Sequence, residues 1–166
     1  MGRWSLVLLV LVACGPEAQS PDTGTDSAVI ESGTVPPAVS VLGTSQMSGW
    51  EEPVDAIVAN ATSWTAAWAY QHDGVAPVPP RPEVDFETAR VLMVAAGMRP
   101  SGGFDLQLTS HAIVSDTITI DVLLTTPGPQ CAVTMALTSP ALAIRIPLNP
   151  ETVVVRRTER VGECTP

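Results

Sequence analysis

Three thiols and two imidazoles are the most reactive side chains in this chain, and their spacing limits the chemistry open to it. Cys14, Cys131 and Cys164 form no CxxC pair, and His72 and His111 form no HxxxH pair. The ligand spacing of a zinc site is therefore missing, and neither a metal nor another cofactor is expected. His72 falls at the end of an expected helix, where a cation suits the helix dipole. His111 falls in an expected turn. Ser110 or Ser115 could be set beside His111 as nucleophile and base. A triad is a spatial arrangement, however, which sequence neighbours do not establish, and no GxSxG elbow occurs. Glu51, Glu52 and Asp55 read as the acidic start of a helix rather than as catalytic acids. Asp85 and Glu87 flank Phe86 and read as solvent-facing, not as the carboxylate pair of a glycosidase. Gly102-Gly103 lacks the lysine and following helix of a phosphate loop and reads as a hairpin turn. Asn60-Ala61-Thr62 has the form of a glycosylation sequon, inside an expected helix. No catalytic residue is assigned, and the chain is expected not to be an enzyme.

Cys14 belongs to a different chemistry. Arg3 gives a positive start, Leu6 to Val12 an apolar run, and Leu11-Val12-Ala13-Cys14 a small residue followed by a thiol. This arrangement resembles the lipobox of bacterial lipoproteins. The resemblance implies cleavage after Ala13, with Cys14 becoming the first mature residue and carrying lipid such as palmitate on its sulfur. The plainer reading is an ordinary secretory signal cut near Ala13; in both, residues 1–13 are a targeting segment and not part of the fold. The apolar run falls short of the roughly 20 residues that span a bilayer. The lipid is therefore the expected membrane contact. Gly15 stands where Asp would favour inner-membrane retention, so the expected address is the outer membrane, on its periplasmic or surface face.

Export changes the reading of the other two cysteines. Cys131 and Cys164 remain as an even pair in an oxidising compartment, and a disulfide between them is expected. Closing that loop would contribute roughly 3–4 kcal/mol in the chain-entropy picture. Cleavage also removes Arg3, one of eight basic residues, and leaves all seventeen acidic ones, so the formal charge moves from −9 to about −10. Such a charge disfavours nucleic acid, which is held by basic side chains on phosphates, and disfavours a second, electrostatic attachment to anionic lipid.

The elements that must position any site follow from hydropathy. Residues 14–37 are dominated by Gly, Pro, Ser and Thr. With Glu17, Asp22, Asp26 and Glu31 they form an acidic stretch too polar to fold, read as a tether. Residues 38–166 form the domain. Apolar residues are 45% of the chain but aromatics only 4%, so the core must be aliphatic. Val39 to Leu42 suggests a first short strand. Glu51-Glu52-Pro53 suggests a helix start, followed by Val54, Ile57, Val58 and Ala61 at helical spacing. Thr62-Ser63 offers a fresh cap before Trp64 and Trp68, which share a face. The result is one bent helix or two short ones, ending near Asp73-Gly74. Val75 to Pro82 is an extended connector. Val91 to Ala96 is apolar throughout, as in a strand buried on both faces. Period-two alternation follows over Phe104–Leu108, Ile118–Leu124, Val133–Leu137, Leu142–Ile146 and Val153–Val155. The expected fold is mainly β (α+β): an antiparallel sheet of about six strands folded as a small sandwich or roll, with one or two short N-terminal helices packed on it. Strands running alternately up and down would gather the loops 98–103, 126–131 and 148–151 at one end.

From Ser63-Trp64 onward the residues resemble the PrcB C-terminal domain family. The resemblance runs through Trp68, Pro80, Val84-Asp85-Phe86 and the apolar strand to Gly97. It continues over Arg99-Pro100-Ser101-Gly102-Gly103-Phe104 and Pro127-Gly128-Pro129-Gln130-Cys131, then Thr138-Ser139-Pro140 and Ile144-Arg145-Ile146-Pro147. Phe104 stands where Tyr is commoner, and Leu142 follows Pro140-Ala141 where an aromatic often comes directly after the proline. The family is named for a lipoprotein component of a protease complex. The resemblance thus implies a non-catalytic module that associates with or stabilises an exported protease. The partner-binding residues expected from it are Arg99, Pro100, Ser101, Gly102, Gly103, Phe104, Pro127 and Pro129. Two alternatives stand beside it: direct inhibition of a protease by insertion of the 98–103 loop into its cleft, and an envelope hydrolase using His111.

Overall fold

Strands that are apolar at nearly every position need cover on both faces, and two strands of this protein have it. The computed structural model describes residues 39–163; residues 1–38, including Cys14 and the tether, and residues 164–166, including Cys164, lie outside the described part. Numbered in chain order, the strands are β1 (Ser40–Ser45), β2 (Val54–Val58), β3 (Ala89–Ala95), β4 (Asp105–Val114), β5 (Thr117–Pro127), β6 (Ala141–Pro147) and β7 (Thr152–Gly162), with one helix, α1 (Ala61–Gln71). β3 and β6 are central in a four-stranded sheet of order β1-β6-β3-β2. One face of that sheet meets α1, through Val91, Met93 and Ala143 against Trp64 and Trp68. The other meets a three-stranded sheet of order β4-β5-β7, through Leu92, Val94, Leu142, Ile144 and Ile146 against Leu106, Ile118, Ile120, Val122 and Leu124. The fold is mainly β in three layers: helix, four-stranded sheet, three-stranded sheet.

Within the second sheet the expected alternation holds. Ile118, Ile120, Val122 and Leu124 are buried, while the residues between them are half-buried on the opposite face. β4 pairs antiparallel with β5 across a bulge between Leu108 and Ser110, around the Ser115-Asp116 turn. Ser115 sits at φ 53°, a left-handed conformation at the turn.

Four expectations need correction. Glu51-Glu52-Pro53 does not begin a helix; Val54–Val58 is the edge strand β2, antiparallel to β3. Val54, Ile57 and Val58 are β-branched and suit a strand, and a short apolar run fits either period. Helix α1 instead follows Asn60, its N-cap, whose Oδ1 accepts from the Ser63 N–H at 2.9 Å. Val133–Leu137 is not a strand. It lies in the irregular 128–140 crossover between the two sheets, where Met135 is 92% and Leu137 57% exposed, so its alternation faces no core. The sheets are not wholly antiparallel, because β7 runs parallel to β5 along its full length. His111 is not in a turn; it lies within β4 opposite Ile120.

The aromatic layer is held by polar tips as well as packing. The Trp64 and Trp68 rings meet edge to face at 5.2 Å. Their Nε1–H groups donate to Pro82 O and Pro79 O, both at 2.9 Å, and so strap the proline-rich connector over the helix. His72 caps the helix, stacks at 4.3 Å on Trp68, and donates from Nδ1 to the Trp68 carbonyl at 3.0 Å. Its position at the helix end agrees with the sequence reading. Gly43 on β1 makes room for this layer, since a Cβ there would lie 2.6 Å from the Trp68 ring.

Candidate functional site

The loop after β3 crosses from one sheet to the other, and its backbone is fixed by neighbours on both sides. Arg99 and Thr138 form an isolated antiparallel bridge, with Arg99 N to Thr138 O at 2.7 Å and the reverse bond at 3.1 Å. Gly102 N donates to Thr134 O at 2.9 Å, and the Thr138 hydroxyl donates to Ser101 O at 2.7 Å. Gly103 has φ +84°, and a Cβ on it would press on Val133 and Pro127, so this position needs glycine. Gly102-Gly103 is thus the pivot of a sheet-to-sheet crossing, not a hairpin turn.

The loops 98–103 and 126–131 come together as expected, but the third member of the cluster differs. The 148–151 loop sits at the far end, where Leu148 N bonds Thr88 O and Glu151 N bonds Asp116 Oδ1. The reason is that β5 and β6 belong to different sheets and do not form an up-and-down pair. The segment 46–53 takes its place. Met98 N donates to Glu51 O at 2.8 Å, Ser139 N to Gln46 O at 2.9 Å, and the Ser139 hydroxyl to Trp50 O at 2.6 Å. Sequence reasoning missed this segment because it assigned its Glu51-Glu52-Pro53 to a helix.

The expected binding residues divide within this cluster. Pro100, Gly103 and Pro129 are exposed; Arg99, Ser101, Phe104 and Pro127 are half-buried; Gly102 is buried. Beside them lie exposed apolar side chains that the sequence reading did not single out: Met47 (43%), Met98 (47%) and Leu137 (57%). These three, with Ser48, Thr138 and Ser139, line a shallow groove of about 90 Å³. Arg99 lies 5.8 Å over the Phe104 ring and donates to Ala96 O at 2.8 Å. Arg157 on β7 reaches across the layers to Ala95 O and Val54 O, each at 2.9 Å, and pairs with Asp55. Cys131 sits half-buried in this cluster, its Sγ 3.9 Å from Gly162 O at the end of β7.

The residues that could have formed other sites are placed apart. Ser110 donates directly to Asp121 Oδ2 at 2.6 Å, while His111, the next residue on the strand, points to the opposite face. Asp85 uses its carboxylate locally, accepting from Glu87 N and the Thr88 hydroxyl, both at 3.0 Å. Among the described residues no three His, Cys, Asp or Glu side chains converge in a way that could hold a metal ion.

Residues 90–147, from β3 through β6, match the family model described as PrcB C-terminal. This segment is similar to the PrcB C-terminal family. The match contains the crossing loop, the groove residues Met98 and Leu137, and the whole 128–140 crossover, so the matched segment holds most of the clustered end. It leaves out the 46–53 segment, the helix and β7. No curated protein and no solved structure matches the chain.

Proposed function

We propose that this chain is an exported, lipid-anchored, non-catalytic protein-interaction module that associates with or stabilises a protease outside the cytoplasm. The observation that carries the reading is the clustered end of the domain. Exposed Met47, Met98 and Leu137 surround a groove on a backbone fixed by reciprocal hydrogen bonds. Exposed apolar patches on a rigid frame are typical of docking surfaces, and methionine adapts to varied partner shapes. The PrcB C-terminal match adds the class of partner, a protease complex.

In this reading Cys14 carries the lipid, residues 14–37 are the tether, and the protein resides at the outer membrane. Cys131 is paired with Cys164; the nearness of its Sγ to Gly162, close to Cys164 in sequence, supports this pairing. Such a bond would fasten the end of β7 to the 127–131 loop and stiffen the docking end. The pinned 98–103 loop presents little free backbone for insertion into a protease cleft, which favours docking over direct inhibition.

A crosslinking pull-down of the lipidated chain from its own envelope, read by mass spectrometry, tests the proposal. Recovery of an exported protease with crosslinks into residues 98–104 or 127–139 is expected. Leu137→Asp should reduce the recovery about tenfold or more, as for a charge placed in an interface core. Recovery of lipid alone, or of a partner crosslinked only elsewhere, overturns it.

A further inference from the structure

Arg99 is left by its own fold without a counter-charge. Its guanidinium is half-buried, donates one hydrogen bond to Ala96 O, and forms no ion pair with any described residue. Its Nε is buried and has no hydrogen-bond partner at all. The other cation of the region, Arg157, is already engaged by Val54 O, Ala95 O and the Asp55 carboxylate. Both arginines line a cavity of about 110 Å³ between the two sheets, which Leu106, Val122 and Leu124 also line with apolar surface. Those three side chains are at most 5% exposed, so this part of the wall is rigid core. Glu159 also lines the cavity and is exposed to water, where its charge is screened.

A half-buried cation without a counter-charge is stabilised by an acceptor that reaches the guanidinium donors lining the cavity. A carboxylate supplies both the missing charge and a pair of acceptors matched to the guanidinium fork. The remaining volume is apolar and small; a cavity of roughly 150 Å³ takes a benzene ring, so this smaller one suits a short aliphatic group better. We propose that this cavity binds a carboxylate carried on a short branched aliphatic group. The carboxylate lies on Arg99 and the aliphatic part on Leu106, Val122 and Leu124. The proposal rests on the reading of the 98–104 loop as the docking face. The same chemistry is offered by the C-terminus of a partner chain ending in an aliphatic residue and by a free short-chain acid.

The test is methyl NMR on the full chain with three probes: N-acetylvaline, its amide, and an acetylated tetrapeptide ending in a valine carboxylate. The acid should shift the Leu106, Val122 and Leu124 methyls, and the amide should bind about tenfold more weakly or worse, as for loss of a charge-assisted pair. Arg99→Gln should remove that preference for acid over amide. Tighter binding of the tetrapeptide than of the acid makes a partner's C-terminus the ligand; equal binding makes it the free acid. Absence of methyl shifts with either acid, or equal shifts with the amide, overturns the proposal, and because this comparison uses the unaltered chain it does not depend on the variant folding. A protease crosslinked at 98–104 alongside a negative probe result overturns the carboxylate site and leaves docking intact. Probe binding without any crosslinked partner does the reverse.

Discussion

The two faces of the four-stranded sheet are covered in opposite ways. On one side many aliphatic side chains of similar size interdigitate, Leu92, Val94, Leu142, Ile144 and Ile146 against Leu106, Ile118, Ile120, Val122 and Leu124. On the other, two tryptophans from one short helix do most of the covering, over Val91, Met93 and Ala143. The aliphatic layer spreads its burial over many side chains of both sheets and has no polar requirement. The aromatic layer concentrates burial in two rings, each of which also needs a carbonyl partner from the proline-rich connector. A layer built from few large parts should fail at single positions where a layer built from many small ones only weakens.

Trp64→Ala should give the largest effect. The ring is fully buried and its Nε1–H is bonded to Pro82 O. Truncation should cost about 3–5 kcal/mol, read as a shift in the urea midpoint. Ile144→Val in the aliphatic layer, equally buried, should cost only about 0.5–1.5 kcal/mol. Equal costs for the two would break the contrast between the layers.

Gly43→Ala comes next. The added Cβ would lie 2.6 Å and 2.8 Å from two atoms of the Trp68 ring. An indole held between a sheet and the Pro79 carbonyl cannot swing away cheaply, so overpacking of about 1–3 kcal/mol is expected. The pair Gly43→Ala with Trp68→Phe should be less destabilised than the two single costs added, because the smaller ring vacates the clash. Strict additivity in this cycle would show that the glycine is not there for the tryptophan.

The same contrast explains what could be read in the sequence. The aliphatic layer was legible because period-two alternation over Ile118–Leu124 and unbroken apolarity over Val91–Ala96 reflect burial directly. Trp64 and Trp68 were legible as one helical face. The edge strand β2 was not, because Val54, Ile57 and Val58 satisfy a helical spacing, whereas the strand turns Val54, Ala56 and Val58 inward and leaves Ile57 exposed. Nor was the exposure of Met135 and Leu137, since alternation carries no sign of whether a core lies beside it. At the candidate site, Gly102-Gly103 was visible as a break between strands, and its meeting with the 126–131 loop followed from strands running up and down. The segment 46–53 and the engagement of Arg157 by Asp55 depend on contacts across the layers, between residues distant in sequence, and leave no local mark.

Gln71 should give the smallest effect and the sharpest one, because its sign is the reverse of the others. Its side chain is fully buried in the aromatic layer, and neither its Oε1 nor its Nε2 has a hydrogen-bond partner among the protein groups. A buried amide without partners is a cost carried by the folded state. Methionine has nearly the same length and flexibility without the amide. Gln71→Met should therefore raise stability by about 1 kcal/mol, measured as a higher urea midpoint with an unchanged slope. A loss of similar size would mean that ordered water satisfies the amide in solution. The aromatic layer would then hold a polar network, and its difference from the aliphatic layer would be one of chemistry as well as of part size.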